Sequence, residues 1–392
     1  MKKLNFIIKC GLALLLLSFY SCESWLNVTP SDRLSEEMLF NDREGFVKAL
    51  NGVYIELNTN ELYGRNLTAG ALDVMGQYYS VASSSHAFYN YGGLVYTGND
   101  EKALFDNMWQ KCYAVIACCN TIIEKCDENK AGLSPVWRGS IKGEALALRA
   151  MLHFDMLRLF GPLTSELDKE SIPYQTNSDQ TVTPLLSGSE VVGLILDDLK
   201  NAVGLLKDTD PYFVEEEFSD TDLNYRRFRM NYFAAKGLMA RVQLWGGDKE
   251  KAAATAKEVI AEGQAEGAEF FPFVTNSEAT SSNPDRVFYS EVLFGTYHSS
   301  REKLHEDLFA PTLESTSILT LAGTARRDDL YDNENDYRYS VWSTYNKNGT
   351  SVLYHRKFEK QDNVTASRQY MIPLIRMSEM YLIAVECCKL DE

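Results

Sequence analysis

The sequence predicts a mainly α-helical fold, an α-α superhelix of tetratricopeptide-like helix pairs with a loop-rich, partly β elaboration. Apolar residues recur at helical spacing from Leu34 to about Glu262, which is typical of helices that bury one face. Small residues such as Ala234 and Gly237 lie in one of these segments, so two helices can approach closely there. After Phe270 the helical spacing gives way to short β-rich runs between polar loops.

The first part of the chain contains seven predicted helices, and several of their ends carry clear signals. Gly161 and Pro162 stop the helix that runs into Phe160. Asp248 is suited to cap the N-terminus of the last of these helices, and Gly263 to follow its C-terminus. The tetratricopeptide consensus itself is not met, so the repeats are expected to be degenerate. The predicted helices are 44–57, 67–78, 103–127, 136–160, 190–207, 230–245 and 249–262.

The second part of the chain mixes strands and loops. Residues 287–294 are rich in β-branched and aromatic side chains and are predicted to form a strand. Asn348 and Gly349 lie between two further stretches of this kind and predict a hairpin turn. Alternation along the hairpin would place Trp342 and Tyr345 on opposite faces.

The N-terminus has the features of an export signal followed by a lipid anchor. A basic start precedes the leucines 14–17 and then Ser21 and Cys22, which is the order found in signal peptides. The apolar run is about half of the roughly 20 residues that a transmembrane helix needs. Cys22 stands where bacterial lipoprotein signals carry the acylated cysteine, so we expect its lipidation, with simple secretion as the alternative. Acyl chains on Cys22 would anchor the protein at a membrane surface. The predicted units are the signal peptide 1–21, a helical part 22–270 and a mixed β and loop region 271–392.

Charge and motifs exclude several classes of function. Lys and Arg total 39 against 55 Asp and Glu, a formal net charge of −16, so the surface repels phosphate backbones and nucleic-acid binding is not expected. The chain has no nucleophile elbow, phosphate-binding loop, dinucleotide-binding glycine motif or zinc-protease helix. We therefore expect no catalysis and no cofactor. A glycosidase carboxylate pair stays open as an alternative, because the required separation is a spatial property.

Metal-site signals are weak. Three cysteines recur every seven residues in one predicted helix: Cys112, Cys119 and Cys126. This spacing favours small apolar residues on one buried face, with a disulfide or a metal as the alternative. Residues 332–336 resemble half of a calcium loop. Tyr337 and Ser343 occupy the positions where such a loop needs glycine and a bidentate glutamate, so a solvated acidic loop is expected.

Aromatic residues are concentrated in loop-like sequence. Residues 77–99 place rings among Ser, Gly and Asn without helical or strand periodicity, and a second group flanks the predicted hairpin. Flat rings beside amides and hydroxyls suit sugars, whose C–H faces are apolar. The alternative is that these rings fix the loop to the helices. The candidate ligand-binding residues in these two groups are Tyr78, Tyr79, Phe88, Tyr89, Tyr91, Tyr96, Asn99, Trp342 and Tyr345.

Three blocks of the sequence resemble signature segments of the SusD/RagB family. Residues 143–162 are similar to its E-A-x-x-L-R-A…F…L-x-R-x-F-G-x-x-P helix. Residues 231–245 resemble its A-A-x-x-L-x-A-R-x-x-L helix, and residues 373–383 its R-x-x-E-x-Y-L-I segment. Together with the lipoprotein leader and Trp109, the blocks follow the family's order along nearly the whole chain.

The resemblance implies a non-enzymatic lipoprotein on the cell surface of Bacteroidetes-type bacteria. Such proteins capture oligosaccharides, or peptides in some members, and cover a SusC-type TonB-dependent outer-membrane transporter. By resemblance, loop aromatics ahead of Trp109 and in the 285–350 region, including Tyr297, would form the ligand face, and the helical repeats would face the channel. Rival functions are a surface glycosidase and a pure scaffold.

The end of the chain departs from the family pattern. A final helix is expected to begin near Ile375, and chains of the family continue beyond it into further helices, whereas this sequence stops at Glu392. We expect either a truncated chain or a second chain that covers the apolar side chains of this helix.

Overall fold

The computed structural model describes residues 36–388 except Ala82, Gln180, Gly267, Asp332 and Glu334. The predicted signal peptide and Cys22 lie outside these residues, as do two positions of the acidic stretch 332–336. Helices dominate the described part, so the predicted mainly α-helical class is confirmed. None of the described helices is long and apolar enough to cross a membrane. The helices are α1 (Glu36–Leu39), α2 (Arg43–Leu57), α3 (Ala71–Met75), α4 (Tyr89–Gly92), α5 (Asn99–Glu128), α6 (Pro135–Phe160), α7 (Gly188–Thr209), α8 (Asp220–Asn224), α9 (Tyr232–Trp245), α10 (Lys249–Gly263), α11 (Asn276–Thr280), α12 (Arg301–Leu308), α13 (Thr324–Leu330), α14 (Ala366–Tyr370) and α15 (Met377–Cys387). The strands are β1 (Glu170–Pro173), β2 (Leu185–Ser187), β3 (Gln264–Ala265), β4 (Ala268–Glu269), β5 (Val292–Tyr297), β6 (Trp342–Lys347), β7 (Thr350–His355) and β8 (Met371–Arg376).

The long helices pack as consecutive pairs that stack on one another. Helix α6 packs against α5 and α7, α7 also packs against α9, and α10 packs against both α9 and α15. A short turn joins α9 to α10, and Gly247 adopts a φ of +88° in it. The Asp248 side chain then accepts a 3.1 Å hydrogen bond from the amide of Lys251, so the predicted N-cap is confirmed. The arrangement is the tetratricopeptide-like stacking that the sequence predicts.

Helix α6 lies at the centre of the helical core. Every residue from 143 to 157 is buried, which is typical of a helix surrounded by other elements. The neighbouring helix α5 turns the three cysteines at seven-residue spacing into this core, and all three are buried and free. The prediction that they pack on one apolar face is confirmed.

Charged residues of the family-like blocks tie these helices together. Arg149 of α6 donates two 2.7 Å hydrogen bonds to the carboxylate of Asp198 on α7. Arg241 of α9 binds the Glu379 carboxylate of α15 through bonds of 2.6 and 2.7 Å. Planar two-bond pairing of this kind fixes orientation as well as distance. The blocks that carry the resemblance therefore hold the scaffold in register.

Two predicted helices are partly wrong. Of residues 67–78 only Ala71–Met75 is helical, and glycines stand at both of its caps, Gly70 and Gly76. The last helix begins at Met377 instead of near Ile375, because residues 371–376 form β8 and pair with β5. A short apolar run does not distinguish a strand from a helix.

Two further boundaries differ from the prediction. The strand expected at 287–294 begins only at Val292, because Phe288 has a left-handed φ of +53° and a 3₁₀ turn follows it. Gly263 is the last residue of α10, and Gln264 is the C-cap residue. In α15 the side chain of Ile383 is buried, whereas Leu382 and Val385 are exposed.

The predicted hairpin is confirmed in detail. Strands β6 and β7 pair without a bulge from Trp342 opposite His355 to Lys347 opposite Thr350. Asn348 and Gly349 have φ values of +52° and +88°, as a two-residue type I′ turn requires. Trp342 is buried and Tyr345 is exposed, so the two rings lie on opposite faces as predicted.

Candidate functional site

The loops and the hairpin form their own hydrophobic core, apart from the helical one. This core joins residues 69–91, residues 304–321 and the strands β6 and β7, and we call it the hairpin unit. A backbone bridge between Ser80 and Thr320 connects the first two segments. The hairpin unit therefore places the aromatic-rich residues 77–99, which we call the aromatic loop, next to the hairpin, although the two are far apart in sequence.

Four of the candidate ligand-binding rings are buried in the hairpin unit: Tyr79, Phe88, Tyr91 and Trp342. Their exposed fractions are between 4% and 7%, so none presents a ring face to solvent. Trp342 stacks on the imidazole of His355 at a centroid distance of 4.3 Å, and Tyr79 contacts Phe309 at 5.5 Å. These rings fix the loop to the hairpin, as the alternative interpretation predicts. They offer no surface for stacking against a ligand.

The remaining candidates reach the surface but do not meet. Tyr89, Tyr297 and Tyr345 are 43%, 36% and 44% exposed. Tyr78 and Tyr96 are half-buried, and Asn99 is exposed at the start of α5. No ring contact within the described residues joins any two of Tyr89, Tyr297 and Tyr345, and Tyr297 instead lies beside Tyr225, Phe228 and Tyr370. The structure brings Tyr78, Tyr79 and Trp342 into ring contact, but it does not gather the exposed candidates into one site.

A wide groove lies along the hairpin, and we call it the hairpin groove. It has a volume of about 1180 Å³ and is lined by the loop at Ser80 and Ser83, by residues 313–324 and by both hairpin strands. Lys347 donates a 2.8 Å hydrogen bond to Glu314, and both residues belong to the lining. The hydroxyl-bearing residues of the lining are Ser80, Ser83, Ser315, Thr320, Thr324, Thr344, Thr350 and Ser351. The sequence carries no local signal for this groove, because its lining comes from three segments that are far apart along the chain.

A second concavity, the central cavity, lies between the helical core and the hairpin unit. It has a volume of about 560 Å³ and is lined by residues 63–78, α6, α9, the segment 286–288, residues 331–358 and β8. The charged residues of its lining are the cations Arg158, Arg241, Arg286, Arg338, Lys357 and Arg376 and the acids Asp73 and Asp155. This excess of cations is unlike the acidic chain as a whole.

Neutral polar groups complete the central cavity. The hydroxyl groups of Tyr78 and Tyr331 lie 2.7 Å apart, and burial raises the pKa of Tyr78, so its phenol stays protonated. Burial holds the pKa of His355 well below its ordinary value, so its imidazole is neutral at pH 7. The described residues contain no group of three His, Cys, Asp or Glu side chains arranged to hold a metal ion.

Comparisons with known proteins agree on one family. The SusD-like family model, described as starch-binding and associating with the outer membrane, matches residues 24–244. SusD-like protein P2 of Formosa agariphila is 25% identical over 265 residues, which cover 66% of this chain and 46% of that protein. The chain thus spans about half the length of this curated relative.

Solved structures share the fold. A SusD superfamily protein of Bacteroides thetaiotaomicron superposes with a TM-score of 0.68 at 21% identity, over 88% of this chain and 76% of that chain. A laminarin-binding SusD-like protein superposes with a TM-score of 0.60 at 17% identity, over 88% of this chain and 80% of that chain. The helical superhelix with its loop elaboration is therefore the architecture of these proteins.

Proposed function

We propose that this chain, which belongs to the SusD-like family of starch-binding proteins associated with the outer membrane, captures oligosaccharide at the cell surface and passes it to a SusC-type TonB-dependent transporter. Acylated Cys22 would hold it to the outer membrane. The hairpin unit would meet the ligand, and the helical repeats would face the transporter. The proposal contains no catalytic step and no cofactor.

The hairpin groove carries the ligand part of this proposal. Sugar hydroxyls need directional partners, and serine and threonine hydroxyls both donate and accept hydrogen bonds. Thr344, Thr350 and Ser351 are all exposed in the lining of the groove. Asn348 at the hairpin turn adds an exposed amide to the lining. A site of about 1180 Å³ exceeds the usual range of roughly 300–1,000 Å³ for small ligands, which suits an extended oligosaccharide.

The expected affinity is modest. Micromolar to millimolar dissociation constants correspond to roughly −8 to −4 kcal/mol, and a few hydrogen bonds from the hydroxyls of the groove suit the weak end of this range. Weak binding of this kind lets the ligand leave toward the transporter, and several contacts along a polymer raise the overall retention.

Affinity electrophoresis and calorimetry on the chain from Cys22 onward test the proposal, with laminarin, soluble starch and a mixed peptide pool as probes. We expect a neutral glycan to bind, and the combined variant Thr344→Val and Ser351→Ala to weaken binding at least tenfold. Tyr297→Ala is the matched control, because its exposed ring lies outside the lining of the groove, and it should leave binding unchanged.

Three results would contradict this function. Retention of peptides without any glycan would favour the peptide-binding alternative. Release of reducing ends from a glycan would favour a glycosidase. Failure of the lipidated chain to co-purify with a TonB-dependent transporter from outer membranes would refute the proposed transfer.

A further inference from the structure

The central cavity carries positive charge that its own carboxylates do not balance. Lys357 lies 3.2 Å from Asp73, and Arg158 pairs with Asp155, so both acids of the lining are already matched by cations. Four arginines of the lining remain: Arg241, Arg286, Arg338 and Arg376.

Two of these four arginines are matched by acids outside the lining. Arg241 binds Glu379, and Arg338 binds Asp336 at 2.6 Å. The remaining pair, Arg286 and Arg376, therefore determines the net charge of the central cavity.

Arg286 shares its acid with a second arginine. Glu359 accepts from Arg286 at 3.0 Å and from Arg356 at 2.8 Å through the same carboxylate oxygen. One negative charge therefore faces two positive charges.

Arg376 makes no ion pair within the described residues, and its guanidinium carbon lies 5.7 Å from the ring centre of Phe288. Glu291 and Glu379 act on Arg376 electrostatically without forming an ion pair with it, so its charge is only partly compensated. The central cavity thus holds an excess of positive charge.

Arg286 also has two buried nitrogen atoms without acceptors among the described residues. Its side chain is only 5% exposed, and its Nε and Nη1 atoms have no hydrogen-bond partner. A buried charged donor left unpaired is costly. Burial lowers the pKa of both Arg286 and Arg376, which is the electrostatic sign of this poor solvation. An oxyanion in the central cavity would supply the missing negative charge beside Arg286 and Arg376, because the planar guanidinium fork matches the oxygens of a carboxylate or a sulfate.

The rest of the central cavity is suited to a sugar ring. Its volume of about 560 Å³ lies within the usual range of roughly 300–1,000 Å³ for small-ligand sites. The paired hydroxyls of Tyr78 and Tyr331 offer donors and acceptors, and Phe288 and Phe358 supply apolar wall. Arg338 is 61% exposed and so lies at the solvent edge, whereas Arg286 lies at the buried end.

We propose that the central cavity binds the carboxylate or sulfate group of an acidic sugar unit, held by Arg286 and Arg376. This inference rests on the proposed function, since it takes the anion to be carried on a glycan. It adds a charged subsite that is separate from the hairpin groove, and it predicts that acidic oligosaccharides are among the ligands of this protein.

Calorimetry on the chain from Cys22 onward tests the inference with matched probes. Trigalacturonate and its methyl ester share one backbone and differ in charge, and a sulfated trisaccharide distinguishes sulfate from carboxylate. We expect at least one of the two acidic probes to bind, and the methyl ester to bind at least tenfold more weakly than it. Arg286→Gln and Arg376→Gln should each reduce acidic binding at least tenfold. Arg326→Gln, an exposed arginine outside the lining, should change it less than twofold.

Several outcomes would overturn the inference. These are absence of binding by both acidic probes, equal binding of ester and acid, or unchanged binding in the Arg376→Gln variant with native circular dichroism. Arg376 is half-buried, so its variant keeps the test decisive if Arg286→Gln fails to fold. Binding of triglutamate as tight as that of the acidic sugars would assign the central cavity to peptides and would also overturn the inference. If the acidic probes bind but laminarin and starch do not, only the proposal for the hairpin groove is contradicted. The two proposals can therefore fail separately.

Discussion

Replacing Asp198 with asparagine removes one charge from a buried pair between α6 and α7. Asp198 accepts two hydrogen bonds from Arg149 and a third, at 2.6 Å, from the hydroxyl of Tyr174. The side chains of Arg149 and Asp198 are 8% and 10% exposed, so water does not replace the lost partner. The asparagine would keep one acceptor oxygen but present an NH₂ donor in place of the other. The guanidinium of Arg149 would then remain buried without a counter-charge, with the Asn120 side chain as its neutral acceptor at 2.9 Å.

The expected loss follows from this burial. Removing one partner of a buried ion pair costs about 3–5 kcal/mol, because it leaves the other charge uncompensated. Two of the three bonds to Asp198 come from a charged donor, and such bonds contribute roughly 1.5–3 kcal/mol each. The two values agree, so we expect Asp198→Asn to lower the free energy of unfolding by about 3–5 kcal/mol. The double variant Arg149→Met with Asp198→Leu should lose much less, since no charge stays buried.

Urea unfolding followed by circular dichroism measures both variants. The matched control is Asp197→Asn on the same helix, where the side chain is exposed, and its change should stay within about 0.5 kcal/mol. A loss below about 1 kcal/mol for Asp198→Asn would show that the pair is not desolvated. A double variant no more stable than Asp198→Asn would show that the loss comes from packing instead of charge.

Three further tests address the core, the hairpin and the cysteines. Burial lowers the pKa of His153 to about 3, so only the unfolded chain takes up a proton on this residue between about pH 6.5 and pH 3. Lowering the pH from 7 to 5 should therefore reduce the free energy of unfolding by about 2 kcal/mol through His153. A His153→Gln variant with equally steep pH dependence would contradict this. Gly349 has a left-handed φ of +88°, so Gly349→Ala should lower the free energy of unfolding by about 1 kcal/mol, and an unchanged urea midpoint would contradict the turn geometry. A maleimide should label the exposed Cys118 of the native protein but not the three buried cysteines of the same helix, and mass spectrometry showing all four labelled would refute the packing of α5.

The long helices are predictable from the sequence because each repeats one apolar face over many turns. Helix α6 and the pair α9 and α10 differ from their predictions by only one or two residues at their ends. Local chemistry also predicts the hairpin, because Asn348 and Gly349 accept the φ values that its turn needs. Strand β8 was missed since its apolar run pairs with β5, about 75 residues earlier, and such pairing leaves no local signal.

The site was less predictable than the fold. The aromatic loop was recognised, but a loop that packs on its own partner segments hides rings such as Tyr79 and Tyr91, and sequence spacing does not reveal this burial. The central cavity draws its arginines from position 158 to position 376. No window of sequence contains them together, so only the folded chain shows their excess of charge.

The family-like blocks hold the scaffold together and also line the central cavity, but they take no part in the hairpin groove. Arg149 and Glu379 hold helices to one another, whereas the hairpin groove is built from hydroxyls on loops and strands outside those blocks. Relatives that share these blocks can therefore keep the same architecture and still differ in the lining of the hairpin groove. Exchanging the hairpin between such relatives, with the helices left intact, would test whether this groove determines which glycan each protein binds.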